Sequence, residues 1–141
     1  MKFDNYFKLE LDAKAQNESF ARGVVALFVS SLNPTTTEIN EIKTAVSEAV
    51  TNSIVHGYND KGGKIVLEAG LSGSLIDIKV SDAGVGINDI DMAMQPFYTT
   101  KSDEEHSGMG FTLMDSFMSF LEVKAGENGG LVVHMQKEIK G

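Results

Sequence analysis

The sequence contains no cysteine, and its 12 lysine and arginine residues are outnumbered by 20 aspartate and glutamate residues. Without cysteine the protein forms neither disulfide bonds nor thiolate metal sites, and nothing requires an oxidising compartment. The net charge of -8 opposes binding to nucleic acid, because a phosphate backbone is held by a clustered cationic surface. We therefore expect no disulfide framework and no direct nucleic-acid partner.

Long hydrophobic runs are also missing. The longest strongly apolar run covers residues 24–29, which is far short of the roughly 20 residues that a membrane-spanning helix needs. The first residues mix charged and apolar side chains and do not form the continuous apolar segment of a signal peptide. We therefore expect a cytoplasmic protein that has no membrane partner.

The remaining composition is that of an ordinary globular protein. Hydrophobic residues make up 42% and charged residues 23% of the sequence, so neither disorder nor a fibrous repeat is indicated. A chain of 141 residues is long enough to form one stable hydrophobic core and too short to form two domains of ordinary size. We expect a single domain that spans residues 1–141.

Alternating apolar and polar residues predict five strands. Residues 7–11 form the first, residues 65–71 and 75–80 a hairpin, and residues 121–125 and 131–135 a second hairpin. The first helix precedes Asn33-Pro34, and its apolar stripe is assigned to Phe20, Val24, Leu27 and Phe28. On that assignment Arg22 projects from the opposite face, either as a solvated charge or as a contact for a partner.

The central helix combines a core stripe with a polar face. A cap at residues 35–37 with Glu38 starts this helix, and it ends at Gly57. Glu48 and Asn52 lie one turn apart, nearly opposite the core stripe. A carboxylate can accept a proton and an amide oxygen can bind Mg²⁺, although a solvated helix face is the simpler interpretation of this helix alone. The apolar stripe consists of Ile39, Ile42, Val46, Val50 and Ile54.

A second polar feature follows the third predicted strand. If the alternation of Ile76, Ile78 and Val80 continues, Asp82 points towards the core. A buried carboxylate needs a partner, and a bound ligand is one candidate, because the neighbouring residues offer no obvious one. Gly84 and Gly86 would let the backbone approach that ligand closely, but a plain turn after a strand fits as well.

The longest irregular segment lies between the two hairpins. Residues 89–94 are predicted to form a short helix, and residues 95–107 form a polar stretch that we interpret as a lid. Helical spacing resumes at Phe111, so Gly108, Met109 and Gly110 lie at a helix N-terminus with free N–H groups for phosphate oxygens.

Taken together, Glu48 and Asn52 on a helix, Asp82-x-Gly84-x-Gly86 after a strand and Gly108-x-Gly110 after a lid resemble the ATP-binding fold of gyrase and histidine kinases. Residues 47–52, 95–101 and 107–111 are most similar to the anti-sigma-factor serine kinases, particularly the branch that acts in sporulation. This resemblance covers nearly the whole chain. It implies an α+β fold, a two-layer sandwich whose mixed, mostly antiparallel sheet carries helices on one face.

The resemblance also implies cofactors and residue roles. The cofactors are ATP and Mg²⁺, with Asp82 receiving the adenine amino group, Gly84 and Gly86 approaching the ring, and Asn52 holding the metal. Glu48 is the general base for a seryl hydroxyl. Gly108, Met109 and Gly110 cradle phosphates. The remaining nucleotide-binding residues belong to the lid and are Thr99, Thr100, Lys101, His106 and Ser107.

The same resemblance implies protein partners. Such kinases dimerise, hold a sigma factor when ATP is bound, and phosphorylate an anti-anti-sigma factor that competes for them. Arg22 lies where the family has a contact residue for both partners. Two positions depart from the family pattern, since His106 replaces a common arginine and Gly130-Leu131 lacks a hydroxyl residue. Lys101 or a protonated His106 are the candidates to replace the arginine charge.

Two other functions remain open from the sequence. A nucleotide-gated module that sequesters a partner without catalysis needs Asp82 and Asn52 but has no use for a base at Glu48. The catalytic half of a histidine kinase needs a phosphoacceptor helix hairpin, for which the sequence has no room. Within the kinase interpretation, a stress-response regulator is the alternative to a sporulation regulator.

Overall fold

The computed structural model describes residues 2–86, Met94 and residues 110–141. Its five strands are β1 (Asn5–Asp12), β2 (Lys64–Ser72), β3 (Leu75–Asp82), β4 (Phe120–Ala125) and β5 (Leu131–Glu138). The α-helices of the described residues are α1 (Gln16–Val29), α2 (Thr36–Asn52) and α3 (Gly110–Phe117). No helix in this part of the chain is long and apolar enough to cross a bilayer.

The strands form one sheet in the order β1-β2-β3-β5-β4. Both predicted hairpins are confirmed, and every pairing among the described strands is antiparallel. One face of the sheet supplies Leu67, Ile78 and Met135 to a core that also contains Val25 of α1, Val46 of α2 and Met114 of α3. The prediction of an α+β fold with helices on one face is confirmed, but the described strands form an antiparallel sheet where a mixed one was predicted.

The predicted cap at the start of α2 is present. Glu38 N–H donates to Thr35 Oγ1 (3.1 Å), and Thr35 N–H donates to Glu38 Oε1 (2.9 Å), so each residue satisfies an N–H that the helix leaves unpaired. The chain end adds a third contact, because Lys140 N–H donates to Glu38 Oε2 (2.8 Å). This backbone hydrogen bond is the main reason why the pKa of Glu38 is lowered. The N-terminus of α2 is thus held by a residue near the C-terminus of the sequence.

The predicted core stripe of α1 is wrong at Phe20 and Leu27, whereas Phe28 packs, partly buried, against the core. The residues that face the core are Ala21, Val25 and Val29, whereas Phe20 and Leu27 are 52% and 77% exposed. The helix carries two overlapping apolar stripes, and the one with a small residue at position 21 lies against the rest of the fold. Close packing of α1 favours this choice, because a small side chain lets two elements approach each other.

A lysine fixes α3 to its neighbours. Lys137 Nζ donates to the carbonyl of Phe117 (2.6 Å), the last residue of α3, and lies 3.3 Å from Glu41 Oε1 of α2. A cation suits a helix C-terminus because the carbonyls there carry partial negative charge. The contact links the C-terminal end of α3 to α2.

Candidate functional site

Asp82 ends β3 with its side chain on the core side of the sheet, as the alternation predicts. It is 8% exposed, and the expectation that its neighbouring residues offer no obvious partner is wrong, because one of its two partners is Gly84. Ser53 Oγ, 1% exposed, donates to Asp82 Oδ2 (2.7 Å), and Gly84 N–H donates to Asp82 Oδ1 (3.0 Å). Each carboxylate oxygen has a second lone pair with which it can accept a hydrogen bond from a ligand.

The backbone around Asp82 packs without room for side chains. A Cβ at Gly84 would lie 2.1 Å from the carbonyl oxygen of Gly57, and one at Gly130 would lie 2.1 Å from that of Asp82. Gly86 has φ +73°, a conformation that side chains rarely adopt. Three chain segments therefore meet next to the carboxylate. The close approach of Gly84 and Gly86 to a ligand stays a prediction.

The end of the central helix widens beside this cluster. After α2 stops at Asn52, Ser53–Gly57 forms a π-helical turn, and Tyr58 N–H donates to the carbonyl of Ser53 (2.9 Å). The predicted end at Gly57 is therefore reached, but through a wider turn than an α-helix. Such π-turns are frequent at functional sites. Here the turn carries Ser53 to Asp82 and Gly57 to Gly84.

Glu48 lies at the N-terminus of α3. A Cβ at Gly110 would be 3.2 Å from Glu48 Oε2, so the carboxylate lies against the first residue of α3. The first N–H groups of a helix have no partners within it and favour negative charge. A carboxylate that can accept a proton is thus adjacent to backbone N–H groups that can bind an anion.

Asn52 completes the described part of the site. It is the last residue of α2, one turn after Glu48, and is half-buried. Within residues 2–86 and 110–141, no group of three or more acidic or histidine side chains is arranged to hold a metal ion. Mg²⁺ in phosphoryl-transfer sites commonly takes one or two protein ligands, and water and substrate phosphates supply the others. The single amide of Asn52 fits that pattern.

Comparison with known proteins agrees with this geometry. The family described as the histidine kinase-like ATPase domain matches residues 11–137. The chain is 53% identical over 135 residues to the anti-sigma F factor of Clostridium kluyveri, covering 96% of this chain and 95% of that protein. The chain belongs to the anti-sigma F factor group of the histidine kinase-like ATPases. A 53% match over 139 residues to the anti-sigma F factor of Thermoanaerobacter pseudethanolicus covers 99% and 97% of the two chains.

Solved structures support the same fold. The RsbU and RsbW domains of a Mycobacterium tuberculosis protein match 96% of this chain and 32% of that one, with a TM-score of 0.67 and 20% identity. The catalytic domain of the histidine kinase ThkA matches 96% of both chains, with a TM-score of 0.59 and 15% identity. At these identities the likeness concerns the fold alone. The histidine kinase-like architecture therefore accounts for the sheet and for the helices that cover it.

Part of the predicted site lies outside the described residues. The predicted helix at residues 89–94, apart from Met94, and the predicted lid are in this part of the chain. The site residues concerned are Thr99, Thr100, Lys101, His106, Ser107, Gly108 and Met109. Of the predicted phosphate cradle, Gly110 alone is described, and α3 begins there. The roles given to the other residues stay predictions.

The guanidinium of Arg22 has intramolecular contacts, contrary to the free side chain that the helical pattern suggests. Arg22 Nε lies 3.2 Å from Glu18 Oε2, and Ser47 Oγ donates to Glu18 Oε1 (2.5 Å). Arg22 therefore flanks the interface between α1 and α2, because the true core stripe of α1 is rotated from the predicted one. Through Glu18 it is linked to Ser47, the residue that precedes Glu48.

Sequence reasoning missed four residues of this site. Ser53 and Tyr58 contact the segment that starts at Asp82, whereas Gly57 and Gly130 pack against it. The run from Ser53 to Tyr58 immediately follows the predicted metal ligand Asn52, and the hydroxyl of Ser53 in this position is a recognisable signal. Nothing local indicated that this hydroxyl reaches a strand end 29 residues further along the chain.

Proposed function

We propose that this protein is an anti-sigma factor and a serine protein kinase. With Mg-ATP bound it holds a sporulation sigma factor, and it phosphorylates a serine of an anti-anti-sigma factor. The observation that carries the kinase half is the position of Glu48 against Gly110 at the start of α3. The name of the relatives, anti-sigma F factor, supports the sigma-factor half.

The described geometry suggests how ATP is held. Asp82 accepts a hydrogen bond from the adenine amino group, while the side-chain-free surface of Gly84 and Gly86 lies against the ring. Asn52 supplies one ligand to Mg²⁺, and the N–H groups at residues 108–110 bind phosphate oxygens. These contacts orient the terminal phosphate towards Glu48.

The reaction that follows needs one proton acceptor. The seryl oxygen of the partner forms a bond to the terminal phosphorus while the bond to the bridging oxygen of ADP breaks. Glu48 accepts the hydroxyl proton. Most of the rate enhancement comes from positioning and from stabilisation of charge, as in other phosphoryl transfers.

The test is to incubate the purified protein with labelled ATP and candidate anti-anti-sigma proteins from the same genome. We expect label to appear on a serine of one candidate, in a form that is stable to acid. ATP binding and sigma-factor binding without any transfer would instead identify a nucleotide-gated clamp. Label on histidine would favour the histidine kinase alternative.

The partners are proposed to meet helix α1. Phe20 and Leu27 are exposed on one side of this helix, and Arg22 is a partly exposed cation on another side, next to α2. A partly exposed guanidinium with five donors is a common interface anchor. We assign the sigma factor and the anti-anti-sigma factor to this surface as competitors.

The variant Arg22→Ala tests this assignment. We expect binding of both partners to weaken by about 1 to 2 kcal/mol, the scale of an interface hot spot. ATP affinity and thermal stability should change little, because the pair with Glu18 is a partly exposed i,i+4 pair of a few tenths of a kcal/mol. Calorimetric titration of each partner at equal nucleotide saturation provides the measurement.

The matched control is Lys124→Ala, which removes an exposed cation from the edge strand β4. It should leave both partner affinities at the value of the parent protein. Equal losses in the two variants would show a general effect of net charge. Unchanged partner affinities in Arg22→Ala would make Arg22 an ordinary surface charge.

We further infer that the protein acts in the cytoplasm as a homodimer, as the kinases it resembles do. The dimer would present two nucleotide sites and two copies of α1. Sedimentation with and without Mg-ATP measures the dimer directly.

A further inference from the structure

Tyr58 places its hydroxyl between two strands. Ala83 N–H donates to Tyr58 Oη (2.8 Å), and Oη donates to the carbonyl of Lys64 (2.6 Å). One atom thus links the start of β2 to the residue that follows β3. None of the contacts proposed above for ATP involves this hydroxyl.

The hydroxyl stands where the next backbone hydrogen bond of the sheet would form. The β2–β3 ladder ends at the pair Ile65 and Asp82, so the next antiparallel pair would be Lys64 and Ala83. The carbonyl and the N–H of these two residues are the groups that Tyr58 Oη bridges. The side chain therefore ends the ladder directly after Asp82 and satisfies both backbone groups there.

The ring of Tyr58 is held firmly enough to act as a spacer. A Cβ at Gly63 would lie 2.4 Å from Cε1 of the ring, so the ring packs directly on that glycine. The main chain of Tyr58 is tied to the π-helical turn through Ser53. The ring and the main chain thus fix the hydroxyl from two directions.

Beyond the hydroxyl, the chain leaves the sheet and turns towards the helix. Val85 N–H donates to the carbonyl of Gly57 (2.9 Å), and Gly84 packs against the same carbonyl. Gly84 N–H also holds one oxygen of Asp82. A ladder that continued to Ala83 would draw this loop towards Lys64 and away from Gly57.

We propose that Tyr58 is a positioning residue for the adenine site. Its hydroxyl stops the β2–β3 ladder at Asp82 and so holds residues 82–86 in the conformation that receives the base. This inference rests on the proposed nucleotide site. The inference adds Tyr58 to that site as a residue that does not contact ATP and acts through Ala83.

The variant Tyr58→Phe removes only the hydroxyl. We expect the Kd for Mg-ATP and the Kd for ADP to rise by the same factor, about tenfold, because both ligands contain adenine. In the phosphorylation assay the KM for ATP should rise while kcat at saturating ATP is unchanged. The Ala83 amide should also lose protection from hydrogen exchange without nucleotide.

The matched control is Tyr6→Phe, since the Tyr6 hydroxyl donates to Glu68 Oε1 (2.5 Å) on the opposite face of the sheet. It should leave the affinities and kinetic constants unchanged. As a second variant, Gly63→Ala displaces the ring while keeping the hydroxyl, and it should weaken ATP and ADP equally. Gly23→Ala is its control, because a Cβ there meets nothing within 4 Å.

Three results would overturn the proposal. One is a folded Tyr58→Phe protein whose Kd values equal those of the parent. Another is a lower kcat at unchanged KM for ATP, and the third is a rise in Kd for ATP but not for ADP. Both of these results would mean that the hydroxyl acts on the phosphates and not on the adenine. If the parent protein itself does not bind Mg-ATP, the proposed function is wrong. That result is distinct from the three that contradict the role of Tyr58.

Discussion

Glu48→Gln is expected to bind Mg-ATP with the affinity of the parent protein and to transfer phosphate at least about a hundredfold more slowly. Glutamine keeps the size of the side chain and can still make hydrogen bonds beside Gly110, but it cannot accept a proton. A loss of this size is usual when a general base is removed. Single-turnover transfer to the anti-anti-sigma factor, together with calorimetry of Mg-ATP, separates the two quantities.

A control for this variant exists on the same helix. Glu41 lies seven residues before Glu48 and pairs with Lys137, away from the start of α3. Glu41→Gln removes the same charge and should keep the transfer rate of the parent. A wild-type transfer rate in Glu48→Gln would show that another residue is the general base. A loss of ATP binding would show that Glu48 contributes to binding.

Asp82→Asn is expected to raise the Kd for Mg-ATP at least about tenfold, or ~1.4 kcal/mol. Both carboxylate oxygens already accept hydrogen bonds, from Ser53 and from Gly84. In asparagine one of the oxygens becomes an NH₂ group, which opposes the adenine amino group if it faces the ligand. The Ser53 hydroxyl can rotate to accept from that NH₂ group, so we expect the fold to persist.

Asp77 provides the matched control for the second experiment. It is 5% exposed in the same strand, on the opposite face, where its Oδ2 contacts His134 Nε2 (2.6 Å) and accepts from Gln136 Nε2 (2.6 Å). Asp77→Asn also alters a buried carboxylate, but it should leave the Kd for ATP unchanged. Calorimetry that finds parental affinity in Asp82→Asn would remove the adenine role.

Local patterns were sufficient for most elements of this fold. The cap at Thr35 and Glu38, the two hairpins and the inward direction of Asp82 depend on residues close in sequence, and the structure agrees with each. Strand parity has a strict period of two, so a few aliphatic residues determine which way Asp82 points. The order of the motifs was sufficient to identify the ATP-binding family.

The face of α1 and the surroundings of Asp82 were decided by tertiary structure alone. Phe20 and Ala21 begin two apolar stripes that satisfy the same helical period, and packing of the helix against the rest of the fold chose between them. Asp77 and Asp82 point to opposite faces of β3, yet both are buried. Alternation cannot indicate this, because Asp77 is covered by side chains of β5, which lies far away in sequence.

The contacts that make the candidate site join residues far apart along the chain. Ser53 reaches Asp82, Tyr58 reaches Ala83, and Glu48 lies beside Gly110. The sequence by itself determined which residue types are available and which of them share a face of a helix or strand. Which of them meet was decided when the sheet and helices packed, because distances between elements depend on close packing of the whole core.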